Sequence, residues 1–159
     1  MSVELTIFRT GGVRLPKATD VPDRTPTGAL TPETYLGYER LDLERYRGQR
    51  VKQDDAALYL PPAKLAQNEY AYGGVARVEG QRLVAVRDTS IRLHFHARKV
   101  HVVLGGRGTV RVLVDGKPQG SLRVTEDRLY NAVSFTQIQD QMLELRLSRG
   151  VEAYAFTFG

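Results

Sequence analysis

From about Tyr70 to the end of the chain, apolar and polar residues alternate with a period of two in a series of short runs. The clearest is Ser90–Ala97, where Ile91, Leu93, Phe95 and Ala97 interleave with Arg92, His94, His96 and Arg98. That spacing predicts a strand with one buried and one polar face. Val100, Val102 and Leu104 continue the apolar face after a change of phase at Arg98-Lys99, which predicts a tight turn there and a partner strand over Lys99–Leu104. Tyr70–Tyr72 and Val75–Val78 read as strands separated by Gly73-Gly74, and Leu83–Arg87 follows a Gly80-Gln81 turn. Thr109–Val114 runs into Asp115-Gly116, a hairpin-turn dipeptide, with Ser121–Val124 as its expected partner. Gln141–Ser148 alternates Leu143, Leu145 and Leu147 with Glu144 and Arg146. After Gly150, Glu152–Phe158 sets Tyr154, Phe156 and Phe158 on one face, read as core. Short strands at regular spacing with Gly-rich turns, and no helical periods between them, predict an all-β antiparallel β-sandwich of jelly-roll type.

The first part of the chain is patterned differently. Six of the seven prolines fall before residue 63. Leu15–Leu30, LPKATDVPDRTPTGAL, has no sustained period, and each residue before a proline is pushed toward extended backbone. Residues 1–30 therefore read as an extended N-terminal segment or linker, in which Val3–Phe8 reads either as a strand or as the stub of a preceding element, and residues 31–159 as the β-sandwich module. Thr31–Gly37, TPETYLG, carries a helix-start signal, with Thr31 as N-cap, Pro32 at the first helical position and Gly37 as terminator. Tyr38–Gln53 fits neither period.

At 159 residues the chain has the length of one ordinary domain, and 42% hydrophobic with 26% charged residues is a globular composition. No apolar run approaches the length of a membrane-spanning helix. The absence of cysteine excludes disulfides, thiolate metal sites and thiol redox chemistry within this chain. A net charge of +5 comes from 23 Lys and Arg, most of them Arg, against 18 Asp and Glu. The signs are mixed along the chain with no basic block, so no nucleic-acid partner is expected.

The segments TPETYLGYER (Thr31–Arg40), VLGGRGTVRVLVDG (Val103–Gly116), RLYNAV (Arg128–Val133) and GVEAYAFTFG (Gly150–Gly159), in this order, resemble the C-terminal domain of DipZ-type proteins, bacterial membrane-linked thiol–disulfide proteins with a thioredoxin-like domain. The linker DVPDRTPT resembles the tether that joins that thioredoxin domain to its last domain. The resemblance covers about residues 18–159. It implies a carbohydrate-binding-module-like, galactose-binding-like jelly roll, the non-catalytic partner of a redox domain. It also implies an extracytoplasmic location, whereas a stand-alone chain with no visible secretory signal reads as cytoplasmic. The Cys-x-x-Cys and the membrane portion of the family are missing here, so only the module carries over. A sugar-binding-like fold does not by itself assign a sugar.

Two constellations offer chemistry. His94 and His96 share a strand face, and a turn at Arg98-Lys99 would set His101 opposite His96, giving three imidazoles within reach of a metal. Against this, strand histidines more often titrate or pack, and the family pattern at this position resembles LRFRARDVYLVL, without His. No metal or cofactor is therefore assigned. The second group is Glu33, Tyr35, Tyr38 and Arg40, which combine aromatic faces with oriented polar groups and form the candidate ligand-binding site. The competing reading makes Tyr35 and Tyr38 packing residues at the end of the sandwich. Asn68, Tyr70 and Tyr72 form a similar, strand-borne group. No nucleophile elbow, P-loop or dinucleotide fingerprint occurs, and Asp54-Asp55 and Glu126-Asp127 lie in turn-like surroundings.

The expected function is a non-catalytic binding or interaction module, taking a carbohydrate or cell-envelope ligand. The alternatives are a docking module for a thioredoxin-like domain, and a metal-dependent hydrolytic enzyme built on the histidines.

Overall fold

The computed structural model describes residues 29–159. The strand or stub expected over Val3–Phe8 and the linker up to Gly28 lie outside them. Eight strands form one antiparallel hydrogen-bonded network: β1 (Thr34–Tyr35), β2 (Ala56–Tyr59), β3 (Tyr70–Val78), β4 (Leu83–Gly105), β5 (Gly108–Val114), β6 (Lys117–Val124), β7 (Arg128–Leu147) and β8 (Glu152–Phe158). A single 3₁₀ turn covers Tyr38–Arg40.

The network doubles over because β4 and β7 are 23 and 20 residues long and run through both layers. In the larger layer the first half of β4 pairs with β3, the second half of β7 pairs with β5, and β2 and β6 are the edges. In the smaller layer the second half of β4 pairs with the first half of β7 and with β8, which carries β1 on its outer side. The result is an antiparallel β-sandwich.

The bend in β4 falls at Arg98-Lys99. Ile91, Leu93, Phe95 and Ala97 are buried on odd positions, then Val100, Val102 and Leu104 on even ones. The register with β7 shifts between Ala97 and Lys99 and again between Val100 and His101. One extra residue inverts the alternation, which is what a bulge does. The tight turn expected here is therefore a bulge in one continuous strand. Neither Arg98 nor Lys99 has the positive φ that a two-residue hairpin turn demands. Both of their N–H groups donate to the Gly159 carbonyl, at 2.8 and 2.9 Å.

Gly73-Gly74 likewise interrupts nothing. β3 runs through it with a register shift, and Gly74 (φ 74°) lets the backbone approach β4 so closely that a Cβ would lie 1.9 Å from the Asp88 carbonyl oxygen. Leu83–Arg87 and Ser90–Ala97, expected as two strands, are one. At the irregularity between them the Thr89 hydroxyl donates to the Val75 carbonyl at 2.6 Å and accepts the Val86 N–H at 3.1 Å, supplying bonds the ladder lost. The Asp115-Gly116 turn forms as expected, with φ of 50° and 80°.

The helix expected over Thr31–Gly37 is not formed. Thr34 and Tyr35 pair with Phe156 and Ala155 of β8. Thr31 is bonded to β4, its N–H donating to the His96 carbonyl at 3.0 Å and its hydroxyl accepting the His96 N–H at 2.7 Å. A one-turn helix is marginal alone, so an available sheet edge decides the conformation. Gly37 serves a close approach and not a helix cap: a Cβ there would meet the Gly80 carbonyl oxygen at 2.3 Å.

One apolar cluster fills the interior, with Leu93, Phe95, Val102, Leu143, Leu145 and Phe156 fully buried in it. Each such side chain contributes about 1.5–3 kcal/mol. Under the larger layer Tyr46, Tyr59, Tyr70 and Tyr72 pack edge to face or tilted, with ring centroids 5.2 to 6.2 Å apart. Tyr70 and Tyr72 are thus core. Phe156 is core as expected, whereas Tyr154 and Phe158 remain partly exposed on β8.

Candidate functional site

Three of the four residues singled out from the sequence come together at the β1 edge. Glu33 and Tyr35 are two apart on extended backbone and so point to the same side. The Tyr35 hydroxyl donates to Glu33 Oε1. The 3₁₀ turn brings the chain back, and the Arg40 guanidinium sits 3.6 Å from the centre of the Tyr35 ring, a cation–π stack. The hydrogen bond to Glu33 requires the phenolic proton, so it raises the Tyr35 pKa, with burial adding to it and Arg40 opposing.

Tyr38 goes elsewhere. Its hydroxyl donates to Asp54 Oδ2 at 2.9 Å, which raises its pKa, and its ring packs against the core.

Beside Tyr35 and Arg40 is a cleft of about 280 Å³, closed on its other sides by the Gly80-Gln81 turn and by Tyr154 of β8. The backbone fixes its shape. Tyr38 N–H donates to the Glu79 carbonyl and Glu39 N–H to the Gly80 carbonyl, both at 3.0 Å, so the 3₁₀ turn is laced to the β3–β4 turn. Under that turn Glu79 accepts from Arg77 and Arg82, both at 2.7 Å, and these bonds hold its carboxyl below the usual range. Arg82 also donates to Glu152 at 2.9 Å and to the Tyr154 hydroxyl at 3.3 Å. Glu39 is one lining residue that sequence reasoning missed, and Tyr154 is another. Alternation with Phe156 and Phe158 made it look like core, and only its neighbour Glu152 hinted that this end of β8 meets solvent.

The histidines do not assemble as a cross-hairpin trio. His94 and His96 lie in the larger layer, in register with Met142 and Asp140. His101 lies beyond the bulge in the smaller layer, in register with Asn131 and Thr157. His94 is held on both ring nitrogens, with Nε2 2.7 Å from Asp140 Oδ1 and Nδ1 2.8 Å from the Leu65 carbonyl oxygen. Among the described residues no group of three or more His, Cys, Asp or Glu side chains is placed to hold a metal.

A family model described as "Thioredoxin like C-terminal domain" matches residues 31–159. The chain belongs to this family. The domain is 34% identical over 151 residues to Protein DipZ of Mycobacterium bovis (strain ATCC BAA-935 / AF2122/97) and, equally, of Mycobacterium tuberculosis (strain CDC 1551 / Oshkosh), covering 93% of this chain. It spans 21% of the length of those relatives. The resemblance to DipZ-type proteins read from the four segments is thus borne out, with the family boundary at Thr31. Among solved structures, the domain is similar to two family two carbohydrate esterases. The one from Clostridium thermocellum, in complex with cellohexaose, has a TM-score of 0.44 and 22% identity, over 49% of this chain and 26% of that one. The one from Cellvibrio japonicus has a TM-score of 0.44 and 13% identity, over 48% and 26%. Neither likeness bears on what this domain does.

Proposed function

We propose that this chain is a non-catalytic recognition module of a thiol–disulfide protein, which takes a cell-envelope carbohydrate in the cleft between Arg40 and Tyr154. The redox chemistry belongs to a thioredoxin-like domain elsewhere in the longer protein, on the extracytoplasmic side of the membrane. This chain, having no cysteine, supplies none of it.

The observation that carries the reading is the stack of Arg40 on Tyr35 at the mouth of a cleft whose backbone is laced shut on two sides. Arg40 offers hydrogen-bond donors and Glu39 an acceptor, with Ala155 and the Tyr35 ring as apolar floor. A hydroxyl-rich ring with C–H faces matches that mixture. Glu33 would act through Tyr35, by fixing its ring.

The test is a thermal-shift panel of neutral oligosaccharides on the wild type and on Tyr35→Ala and Arg40→Ala. A ligand at about 100 times its dissociation constant adds about 2.7 kcal/mol, a shift of several degrees for a domain of this size. A shift in the wild type that both variants lose supports the site. No shift with any sugar, or equal shifts in all three proteins, overturns it.

A second reading, docking of the thioredoxin-like domain, is favoured by the outer edge of β2, where Leu58 and the following Leu60 are 56% and 65% exposed while the Gln49 side chain bonds the Leu58 carbonyl and the Leu60 N–H. Loss of binding to the separate thioredoxin-like domain in Leu58→Lys would support it.

A further inference from the structure

The face of the larger layer that turns away from the core carries a second concavity, of about 840 Å³, which shares no lining residue with the Tyr35 cleft. Strand register builds its floor. Ser90 of β4 lies opposite Arg146 of β7, which lies opposite Arg111 of β5. One row along, Arg92 faces Glu144. At the ends stand Arg87, beside the β4 irregularity where Asp88 has a φ of 50°, and Arg149, in the turn after β7.

The charges are unequal. Glu144 is mostly buried and sits between two guanidinium groups, with Arg146 Nε 2.7 Å from one carboxylate oxygen and Arg92 Nε 3.6 Å from the other. Arg87, Arg111 and Arg149 are exposed and have no acidic partner among the described residues within ion-pair distance, which leaves cationic forks pointed into an open cleft. A guanidinium fork matches a carboxylate in shape as well as charge. Thr109 and Ser148 add hydroxyls, while Asp88 adds acceptors that only a donor-bearing ligand can use. No aromatic ring lines the cleft, so stacking on a neutral ring is not its mode of recognition.

We propose that this face binds an acidic polysaccharide, a chain of hydroxyl-rich rings carrying spaced carboxylates. The inference goes beyond the Tyr35 cleft and stands or falls separately from it.

The test is calorimetric titration of the whole chain with tetragalacturonate, with its neutral methyl ester and with polyglutamate. The wild type, the double variant Arg111→Ala/Arg149→Ala and Tyr35→Ala are compared. Both arginines are exposed, so the double variant should unfold in urea at the wild-type midpoint. The expected result is binding of tetragalacturonate that weakens about tenfold or more in the double variant and in the methyl ester, is unchanged in Tyr35→Ala, and falls as salt is raised. No binding at roughly millimolar ligand, or equal affinity in the double variant, overturns the proposal. Polyglutamate binding as tightly as the sugar also overturns it, since the partner would then be an acidic peptide.

Discussion

His94 and Asp140 tie the two longest strands together from the outside, with Nε2 of the ring 2.7 Å from a carboxylate oxygen. The other ring nitrogen meets the Leu65 carbonyl, and Gln67 reaches the second Asp140 oxygen at 3.3 Å. The arrangement clips the segment before β3 onto the sandwich. Asp140 is 51% exposed, so Asp140→Asn is expected to cost no more than about 0.5–1 kcal/mol globally. Its larger effect should be local, as faster amide exchange of Asn68, whose N–H donates to the His94 carbonyl. Unchanged exchange there would show that the clip holds nothing.

The Tyr72 hydroxyl is fully buried and donates to the Leu36 carbonyl at 2.8 Å. Tyr72→Phe removes the donor and strands a buried acceptor. A loss of about 1–3 kcal/mol at unchanged m-value is expected in urea.

Gly74→Ala should be among the most damaging single changes. Its Cβ would strike backbone, the Asp88 carbonyl, and φ is 74°. A backbone clash cannot be relieved by a side chain swinging away, so more than about 3 kcal/mol is expected, with failure to fold as the extreme. Gly116→Ala, where nothing lies within 4 Å, isolates the cost of positive φ alone and should be milder.

Buried phenols make stability depend on alkaline pH. Burial raises the pKa of Tyr72, pushes that of Tyr70 up to about 12, and raises Tyr46 further. An unfolded tyrosine titrates near 10. The folded state therefore holds protons that the unfolded state releases. The stabilisation is complete below about pH 10 and is lost as pH rises through the folded values. The chain has no Trp, so tyrosinate absorbance reports the process directly. Part of the signal should appear only on unfolding, and Tyr70→Phe with Tyr72→Phe should shrink that part.

What was legible in the sequence was whatever a local pattern decides. The alternation in Ile91–Ala97 and the Asp115-Gly116 turn need no distant partner. The phase change at Arg98-Lys99 was visible too, but a bulge and a turn both invert alternation, and the choice is made by β7 and Gly159. Thr31–Gly37 carries genuine helix-start residues, overruled by the free side of β8. Within the candidate site, Glu33 and Tyr35 share a face through simple two-residue spacing, whereas the return of Arg40 onto the ring depends on the Gly80-Gln81 turn. The arginine-lined face was invisible because Arg87, Arg111 and Arg146 are brought together only by the register of three strands.

The passage of β4 and β7 through both layers has a consequence for how the molecule comes apart. In a sandwich of separate sheets, one plate can peel from the other along their shared interior. Here the same two backbones are woven through both, so there is no seam along which damage starts and stops. Melting of either layer pulls covalently on the other, and a calorimetric trace should show one transition whose van't Hoff and measured enthalpies agree. Assembly meets the converse constraint: Thr34 must find Phe156 across nearly the whole described chain, so folding should run on the slow, millisecond-to-second scale of non-local β topologies.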